Sequence, residues 1–350
     1  MSLIQGQAMT VHSTGIHDEY CEAQWMTTMP RELMLLRHGK SDWSISSDDF
    51  HRPLQLEGKR SAQRVGTWMM RQDLLPDHVI SSPAERACAT AAKVCKVMAI
   101  GTRAIHLDER IYEADLAGLR EVLADCPRQT QRVLLVGHNP GLKELLAFLL
   151  QEKTPSEKNG KILPTATLIR LDMPDDWSRL TPGCASLAGI IRPSTLPRKF
   201  PYPAPDGPGR RRRPAYYYNQ SAVIPFRLHK GKPEILVIYS SNRKHWVVPK
   251  GIMDPGLSAR QSAAKEAWEE AGVEGRIYDG SLGAYTCRKW GAACHVEVFA
   301  MEVTHLVPEK KWEESHRGRE WLSPKQAAKR LKQKELKLMV MGLAKKLRSG

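Results

Sequence analysis

The sequence predicts two domains of different class: a doubly wound α/β sheet first, then a mixed α+β domain. Three observations carry that prediction. The chain has 350 residues, about twice what one ordinary domain holds. From Glu32 onward, short apolar runs alternate with helical patterns, which is how a parallel sheet covered on both faces reads. Beyond a proline-rich stretch the pattern changes to closely spaced strands with few helices.

Residues 1–30 are polar, carry several methionines and show no period, so they read as a loose extension. The first domain is expected over residues 31–191. Leu33–Leu36 reads as a strand, Leu56–Met70 as an amphipathic helix, His78–Ile80 as a strand and Ala84–Met98 as a helix. Val133–Val136 then gives a strand and Gly141–Leu150 a helix. Residues 192–215 are expected to link the domains. This stretch holds seven prolines, ends in four consecutive arginines, and reads as extended, solvated chain. In residues 216–350, strands are expected at Ser221–Arg227, Glu234–Tyr239, Ser281–Cys287 and His295–Val303. Helices are expected at Ala259–Ala271 and, in broken form, from Ser323 to Leu347.

Composition excludes several classes. Hydrophobic residues make up 41% and charged residues 26%, so wholesale disorder is disfavoured. No apolar run approaches the roughly 18 residues of a membrane helix. The first thirty residues lack an apolar core and carry Asp18, Glu19 and Glu22, which argues against a secretory signal. Seven cysteines with no C-x-x-C pair suit a reducing cytoplasm. The net charge of +15 is uneven: residues 1–190 hold 22 basic against 23 acidic residues, and the remainder 31 against 15. That basic half suits a polyanionic ligand, or solubility alone.

Chemistry-bearing residues gather at three predicted strand ends. Arg37-His38-Gly39 ends the first, Ser82-Pro83-Ala84-Glu85-Arg86 follows the second, and Gly137-His138-Asn139-Pro140 follows the third. Ligands of doubly wound sheets bind beyond the carboxyl ends of strands. Two arginine forks grip a phosphate, and a neutral histidine attacks phosphorus. Each fragment alone is weak; their joint occurrence in this order is not. With Lys40 through Trp43, Arg52-Pro53-Leu54 and Gly58, the region from Arg31 to Arg192 resembles the histidine phosphatase superfamily, and more closely its short SixA-like phosphohistidine phosphatase branch. The resemblance implies a doubly wound α/β fold, His38 as phosphorylated nucleophile, and Arg37, Arg86 and His138 as the phosphate pocket. It implies no metal. An acidic proton donor falls near Glu113 and Asp115; Glu113 reads equally as a surface residue near a helix start.

The second constellation is acidic. A Gly251–Pro255 loop leads into a helix on which Glu266, Glu269 and Glu270 sit at i, i+3 and i+4, on one face. Such carboxylates repel one another, and a hard dication relieves that. The ordinary reading is a solvated acidic face. Gly251, Glu266, Glu269, Glu270, Gly272 and Val273 resemble the Nudix box, G-x5-E-x7-R-E-U-x-E-E-x-G-U, where U is aliphatic. Two positions depart: Leu257 replaces the first glutamate and Lys265 the arginine, which reads as loss of a pair that braces loop against helix. Trp246 through Gly251 and Arg319 through Leu322 are similar to the branch acting on diphosphoinositol polyphosphates and dinucleoside polyphosphates. The resemblance implies an α+β Nudix-like sandwich, Mg²⁺ or Mn²⁺ on the three glutamates, and a polyanionic, nucleotide-like substrate met by Lys250, Arg243, Lys244 and Arg288.

The leading expectation is a cytoplasmic two-domain phosphohydrolase. Its first half would act on phosphorylated small molecules or a phosphohistidine protein, and its second would cleave a phosphoanhydride. Two alternatives stand beside it. The altered box is a ligand-sensing module regulating the phosphatase, or the basic half binds nucleic acid. The last finds no RRM, KH, zinc or aromatic-stacking signature in its support.

Overall fold

The computed structural model describes residues 31–151, 163–201 and 209–349. The expectation for residues 1–30 lies outside them. The first half alternates as its periodicity requires: β1 (Arg31–Arg37), α1 (Leu56–Arg71), β2 (His78–Ser81), α2 (Glu85–Val97), β3 (Ile105–Leu107), α3 (Leu116–Ala124), β4 (Arg132–Gly137) and α4 (Gly141–Leu150). Two further strands follow, β5 (Leu168–Met173) and β6 (Ser186–Ile191). The sheet order is β3-β2-β4-β1-β5-β6.

The four strands from β3 to β1 run parallel, and β5 and β6 are antiparallel. The expected parallel sheet is thus extended at one edge by two antiparallel strands. Among the described residues no helix joins β5 to β6, and a crossover without one favours an antiparallel pair. Alternate residues of β1 serve opposite faces. Leu33 and Leu35 pack with α3 and α4 residues such as Leu119 and Leu145, and Met34 and Leu36 pack with α1 and α2 residues such as Val65 and Val94. The Glu32 carboxylate ties β1 to its neighbours, taking Arg132 of β4 at 2.8 Å and Arg170 of β5.

Parallel register places the catalytic candidates together. Arg37 lies opposite Gly137, and Ser81 opposite Val136. Residues 38, 82 and 138 therefore leave the sheet at one edge. Close backbone contact shapes the same edge: a Cβ on Gly58 would meet the Lys40 carbonyl oxygen at 2.3 Å, and one on Gly39 the Gly58 carbonyl oxygen at 2.9 Å.

The linking segment departs from its expectation. Phe200 is buried, and with Pro201 it forms β7 (Phe200–Pro201), paired with β8 (Arg210–Arg211). Leu196 packs on the core beneath α1 and α2, and the Arg211 guanidinium lies 4.5 Å over the Tyr218 ring. Leu196 and Phe200 thus pack beside α1, while Arg198, Lys199 and Arg210 stay exposed.

The second half contains β9 (Asn219–His229), β10 (Lys232–Tyr239), β11 (Trp246–Val247), β12 (Lys250–Ile252), α5 (Ala259–Ala271), β13 (Val273–Ile277), β14 (Gly283–Lys289), β15 (Ala292–Leu306), β16 (Arg319–Leu322), α6 (Pro324–Arg330) and α7 (Lys334–Ser349). Strands β9 and β15 pair in parallel at the centre. Ala222, Ile224 and Phe226 of β9 pack towards α6 and α7, and Val223 packs towards α5. A mixed sheet sandwiched between helices results, and the C-terminal helical stretch is broken between α6 and α7 as expected.

Helices α1 and α2 cross closely at Gly66, where a Cβ would stand 2.7 Å from the Val94 carbonyl oxygen. Backbone cannot yield as a flexible side chain does, so Gly66→Ala should destabilise by ~1–3 kcal/mol. Urea unfolding should show a lower midpoint with an unchanged slope; an unchanged midpoint would mean that this crossing is not tight.

Candidate active sites

The first site grows from the loop after β1. The His38 Nδ1 lies 2.7 Å from the Gly39 carbonyl oxygen. A carbonyl only accepts, so Nδ1 carries the proton and Nε2 keeps its lone pair. Gly39 is itself held, its N–H donating to Thr90 Oγ1 at 2.9 Å. Burial, with Arg86, Arg37 and Arg52 nearby, lowers the imidazole pKa to about 4, against the Gly39 hydrogen bond that favours the charged ring. The ring is neutral at ordinary pH and keeps a free nucleophilic nitrogen.

His138 stands beside it, the two ring centroids 5.1 Å apart. Its Nε2 lies 2.8 Å from Ser82 Oγ, and burial plus the neighbouring His38 and Arg86 depress its pKa to about 3. Arg37 donates to the Leu163 carbonyl at 2.9 Å. Arg86 enters from the start of α2 and donates to Asp49 Oδ2 at 2.7 Å; Arg52 donates to the other carboxylate oxygen of Asp49. Tyr112 also donates to Asp49, at 3.1 Å. Burial pushes the Asp49 carboxyl up, but Arg86, Tyr112 and Arg52 outweigh it and hold it below the usual range.

These groups line a cleft of about 570 Å³. Buried donors remain there without hydrogen-bond partners among the described residues: Arg37 Nε, Arg52 Nε and Nη1, and Arg86 Nε. Unmatched cationic donors of this kind fit a multiply charged oxyanion. The sequence-predicted Arg37, His38, Arg86 and His138 all come together here. Glu113 lines the same cleft, exposed and with φ of 53°. Asp115 is instead spent on capping α3, accepting from the Gly118 N–H at 2.8 Å. Sequence reasoning missed Arg52 and Asp49 as site residues; the Arg52-Pro53-Leu54 segment was the available signal.

The second site lies where β12 meets α5. Helix α5 starts in a capping box of Ser258 and Gln261 and ends at Gly272 with φ of 58°. A Cβ on Gly251 would fall 1.9 Å from a Glu266 carboxylate oxygen, so glycine there gives Glu266 its place. Burial, then Glu270 and Glu269, raises the Glu266 pKa to about 8. Glu270 accepts from the Lys250 N–H at 2.9 Å and from Arg317 at 2.7 Å, and Glu269 lies 3.4 Å from Lys265. Among the described residues no three acidic or histidine side chains converge on one point as they stand. Glu266 nonetheless has no hydrogen bond or ion pair recorded among them and bears the repulsion of both neighbours. The donor set fits a hard dication, which would quench that repulsion.

The expected loss of the loop brace is corrected. Lys265 meets Asp254 at 2.7 Å, and the Asp254 N–H donates to Ser262 Oγ at 3.1 Å. Asp254 thus supplies from another loop position the carboxylate that Leu257 lacks. Of the predicted phosphate-binding cations, Lys250 lines the cleft beside Glu266 and Glu270. Arg243 instead donates to the His316 carbonyl at 3.1 Å, and the Lys244 N–H belongs to the turn at Ser240; neither lines that cleft, nor does Arg288.

Known proteins resemble both halves of the chain. Residues 33–121 match the histidine phosphatase superfamily (branch 1), and residues 218–340 match the NUDIX domain. An uncharacterized protein of Mycobacterium tuberculosis is 29% identical over 162 residues, covering 45% of this chain and 99% of that one. The diphosphoinositol polyphosphate phosphohydrolase 3-alpha of Mus musculus is 31% identical over 119 residues, 33% of this chain and 70% of that one. A solved structure of the protein histidine phosphatase SixA complexed with tungstate is similar at 21% identity and a TM-score of 0.40, covering 47% of this chain and 97% of that one. The chain belongs to the Nudix family through its C-terminal part, and its N-terminal part is similar to the histidine phosphatase superfamily. Both are hydrolase families acting on phosphate esters and phosphoanhydrides, and their pairing in one chain supports phosphohydrolase activity.

The His38 environment sets a pH signature. Protonation removes the Nε2 lone pair, so a lowered pKa moves the acid limb of activity downward. For metal-independent phosphatase activity, kcat/KM should stay level from pH 7 to below 5 and fall with a midpoint near the pKa of about 4. An acid limb near 6.5, the value of a free imidazole, would contradict this environment.

Proposed function

We propose that the chain carries two separate hydrolytic activities, with the domain boundary within residues 192–215. The first removes phosphoryl groups through His38 without a metal. The observation that carries it is the hydrogen bond from His38 Nδ1 to the Gly39 carbonyl, which leaves Nε2 free beside three arginines. In the first step Nε2 forms a bond to phosphorus while the bond to the leaving group breaks, and the leaving group takes the electron pair and a proton. Arg37, Arg52 and Arg86 neutralise the equatorial oxygens. Asp49 gives up its arginines to the incoming phosphate. Water then attacks phosphorus and gives a proton back to the Glu113 carboxylate, the P–N bond breaks with its electron pair returning to Nε2, and inorganic phosphate leaves with His38 neutral again. Glu113, exposed on the cleft wall, donates the leaving-group proton. A phosphohistidine leaving group needs little such help, since an imidazole leaves more readily than an alkoxide.

The second activity cleaves a phosphoanhydride at the carboxylate face of α5. Glu266, Glu269 and Glu270 hold Mg²⁺ or Mn²⁺, which when bound polarises phosphate oxygens and acidifies water. The chain's own part is to fix that face. Gly251 lets the loop close on Glu266, Arg317 and the Lys250 N–H orient Glu270, and Asp254 with Lys265 braces the loop. Lys250 offers a cation to the substrate. Dinucleoside polyphosphates and diphosphoinositol polyphosphates are the substrates proposed, both polyanions suited to the basic half of the chain.

The two activities should separate by mutation in the full chain. His38→Ala should reduce phosphoamidate hydrolysis in chelator by at least about a thousandfold and leave Mg²⁺-dependent anhydride cleavage within twofold. Glu266→Gln should do the reverse. Product release by ion chromatography reads both; loss of both activities in either variant would show that they share one site.

A further inference from the structure

The cleft beside Glu266 is not closed by the Nudix part alone. Helix α2 of the phosphatase half ends against it. Lys96 of α2 pairs with Asp254, the same carboxylate that braces Lys265. Gln63 of α1 donates to the Tyr216 and Tyr217 hydroxyls at 3.0 and 3.2 Å. The Gly101 backbone lies so close to the box loop that a Cβ on Gly256 would stand 3.0 Å from the Gly101 Cα. These contacts set the next lysine up the helix, Lys93, into the wall of a cleft of about 370 Å³ that also contains Glu266, Lys250 and Lys289.

Lys93 and Lys289 share an unusual position. Lys93 is half-buried and Lys289 exposed at the cleft mouth, and neither has an ion pair among the described residues. Lys93 feels the positive charge of Lys96 and Lys59, and Lys289 that of Lys250. Desolvation, aided by these cations, lowers the pKa of each, against Tyr217 and Asp254, which favour the charged Lys93, and Cys294, Cys287 and Glu270, which favour the charged Lys289. The Lys289 ammonium rests 4.3 Å from the Trp290 ring centroid, and Tyr217 meets that ring edge-on at 5.3 Å. A half-buried ammonium group such as Lys93, repelled by Lys96 and Lys59 and without a carboxylate in contact, is costly unless an anion joins it. Of the three carboxylates in the cleft, Asp254 is engaged by Lys96 and Lys265, Glu270 by Arg317, and Glu266 belongs to the proposed metal face.

We propose that Lys93, from the phosphatase half, binds the phosphate chain of the Nudix substrate together with Lys250 and Lys289, so that the anhydride-cleaving site is built from both halves of the chain. The ligand class is a linear polyphosphate long enough to run from the metal face at Glu266 to the lysines across the cleft. Lys96 does not touch it; it positions the box loop through Asp254. The kinetic arm of the test rests on the hydrolase reading above, and the binding arm does not.

The test uses the full chain and inorganic tripolyphosphate. Brief acetylation with and without tripolyphosphate, read peptide by peptide by mass spectrometry, should show several-fold protection at Lys93 and Lys289 and none at the exposed Lys329. In parallel, Lys93→Ala should raise KM for Mg²⁺-dependent cleavage of a dinucleoside tetraphosphate about tenfold with kcat within twofold, the loss expected of one charge-assisted contact. Lys93→Arg should restore most of it. The His38-dependent activity, whose cleft Lys93 does not line, is the folding control. Equal labelling of Lys93 with and without tripolyphosphate, uniform protection of every lysine, or an unmoved KM would each overturn the proposal. Protection at Lys93 in a wild-type protein that cleaves nothing would support the cleft while removing the hydrolase reading.

Discussion

Charge of one sign, held partly out of water, organises both clefts of this chain. Around His38 three guanidinium groups crowd a neutral imidazole, and Asp49 is the carboxylate among them. Around Glu266 the sign is reversed at the metal face and positive again on the facing wall. Bringing like charges together in a low-dielectric cleft costs free energy that the fold must supply. The fold supplies it through rigid backbone: parallel strand ends in one half, and a glycine loop pressed on a capped helix in the other. A phosphate or a dication entering either cleft recovers part of that cost, which is how such sites select their ligands.

The two halves solve this differently because their elements differ. In the first, register alone delivers His38, Ser82 and His138 to one edge, since parallel strands end in line. Loop residues then add Arg52 and Asp49 from outside the sheet. In the second, helix periodicity aligns three glutamates, and the loop before α5 must be held close. Asp254 does this with Lys265 on one side and Lys96 on the other. That carboxylate is therefore the joint between box, helix and neighbouring domain. Its charge is stabilised by both ammonium groups, which outweigh the burial that opposes it.

Much of this was legible before any coordinates. Arg37-His38-Gly39, Arg86 and His138 declare themselves because strand ends are local features that the apolar runs mark. Glu266, Glu269 and Glu270 declare themselves through helical spacing. The rest depended on tertiary approach. Arg52 joins the cleft only when its loop brings Asp49 against Arg86, and the Arg52-Pro53-Leu54 segment was its one trace in the sequence. Leu257 and Lys265 read as a lost brace because the replacement carboxylate, Asp254, sits at a different loop position. Arg243 and Lys244 looked suited to phosphate by charge alone, yet their turn places them away from the acidic face. Lys93 was invisible, because no pattern within one domain predicts which helix a neighbouring domain will press against. The proline-rich segment misled in the same way: Phe200 and Leu196 find a groove that composition does not reveal.

The central claim is that His38, neutral and held through Nδ1, takes the phosphoryl group on Nε2 while the Nudix half does its work elsewhere. Rapid quenching into alkali after mixing the full chain with a small phosphoramidate, in chelator, preserves a phosphohistidine for mass spectrometry. The account predicts one phosphoryl group per chain, mapped to His38 and lost on acidification. A phosphoryl group on any other residue, or rapid turnover with none trapped on His38 at any quench time, would contradict it.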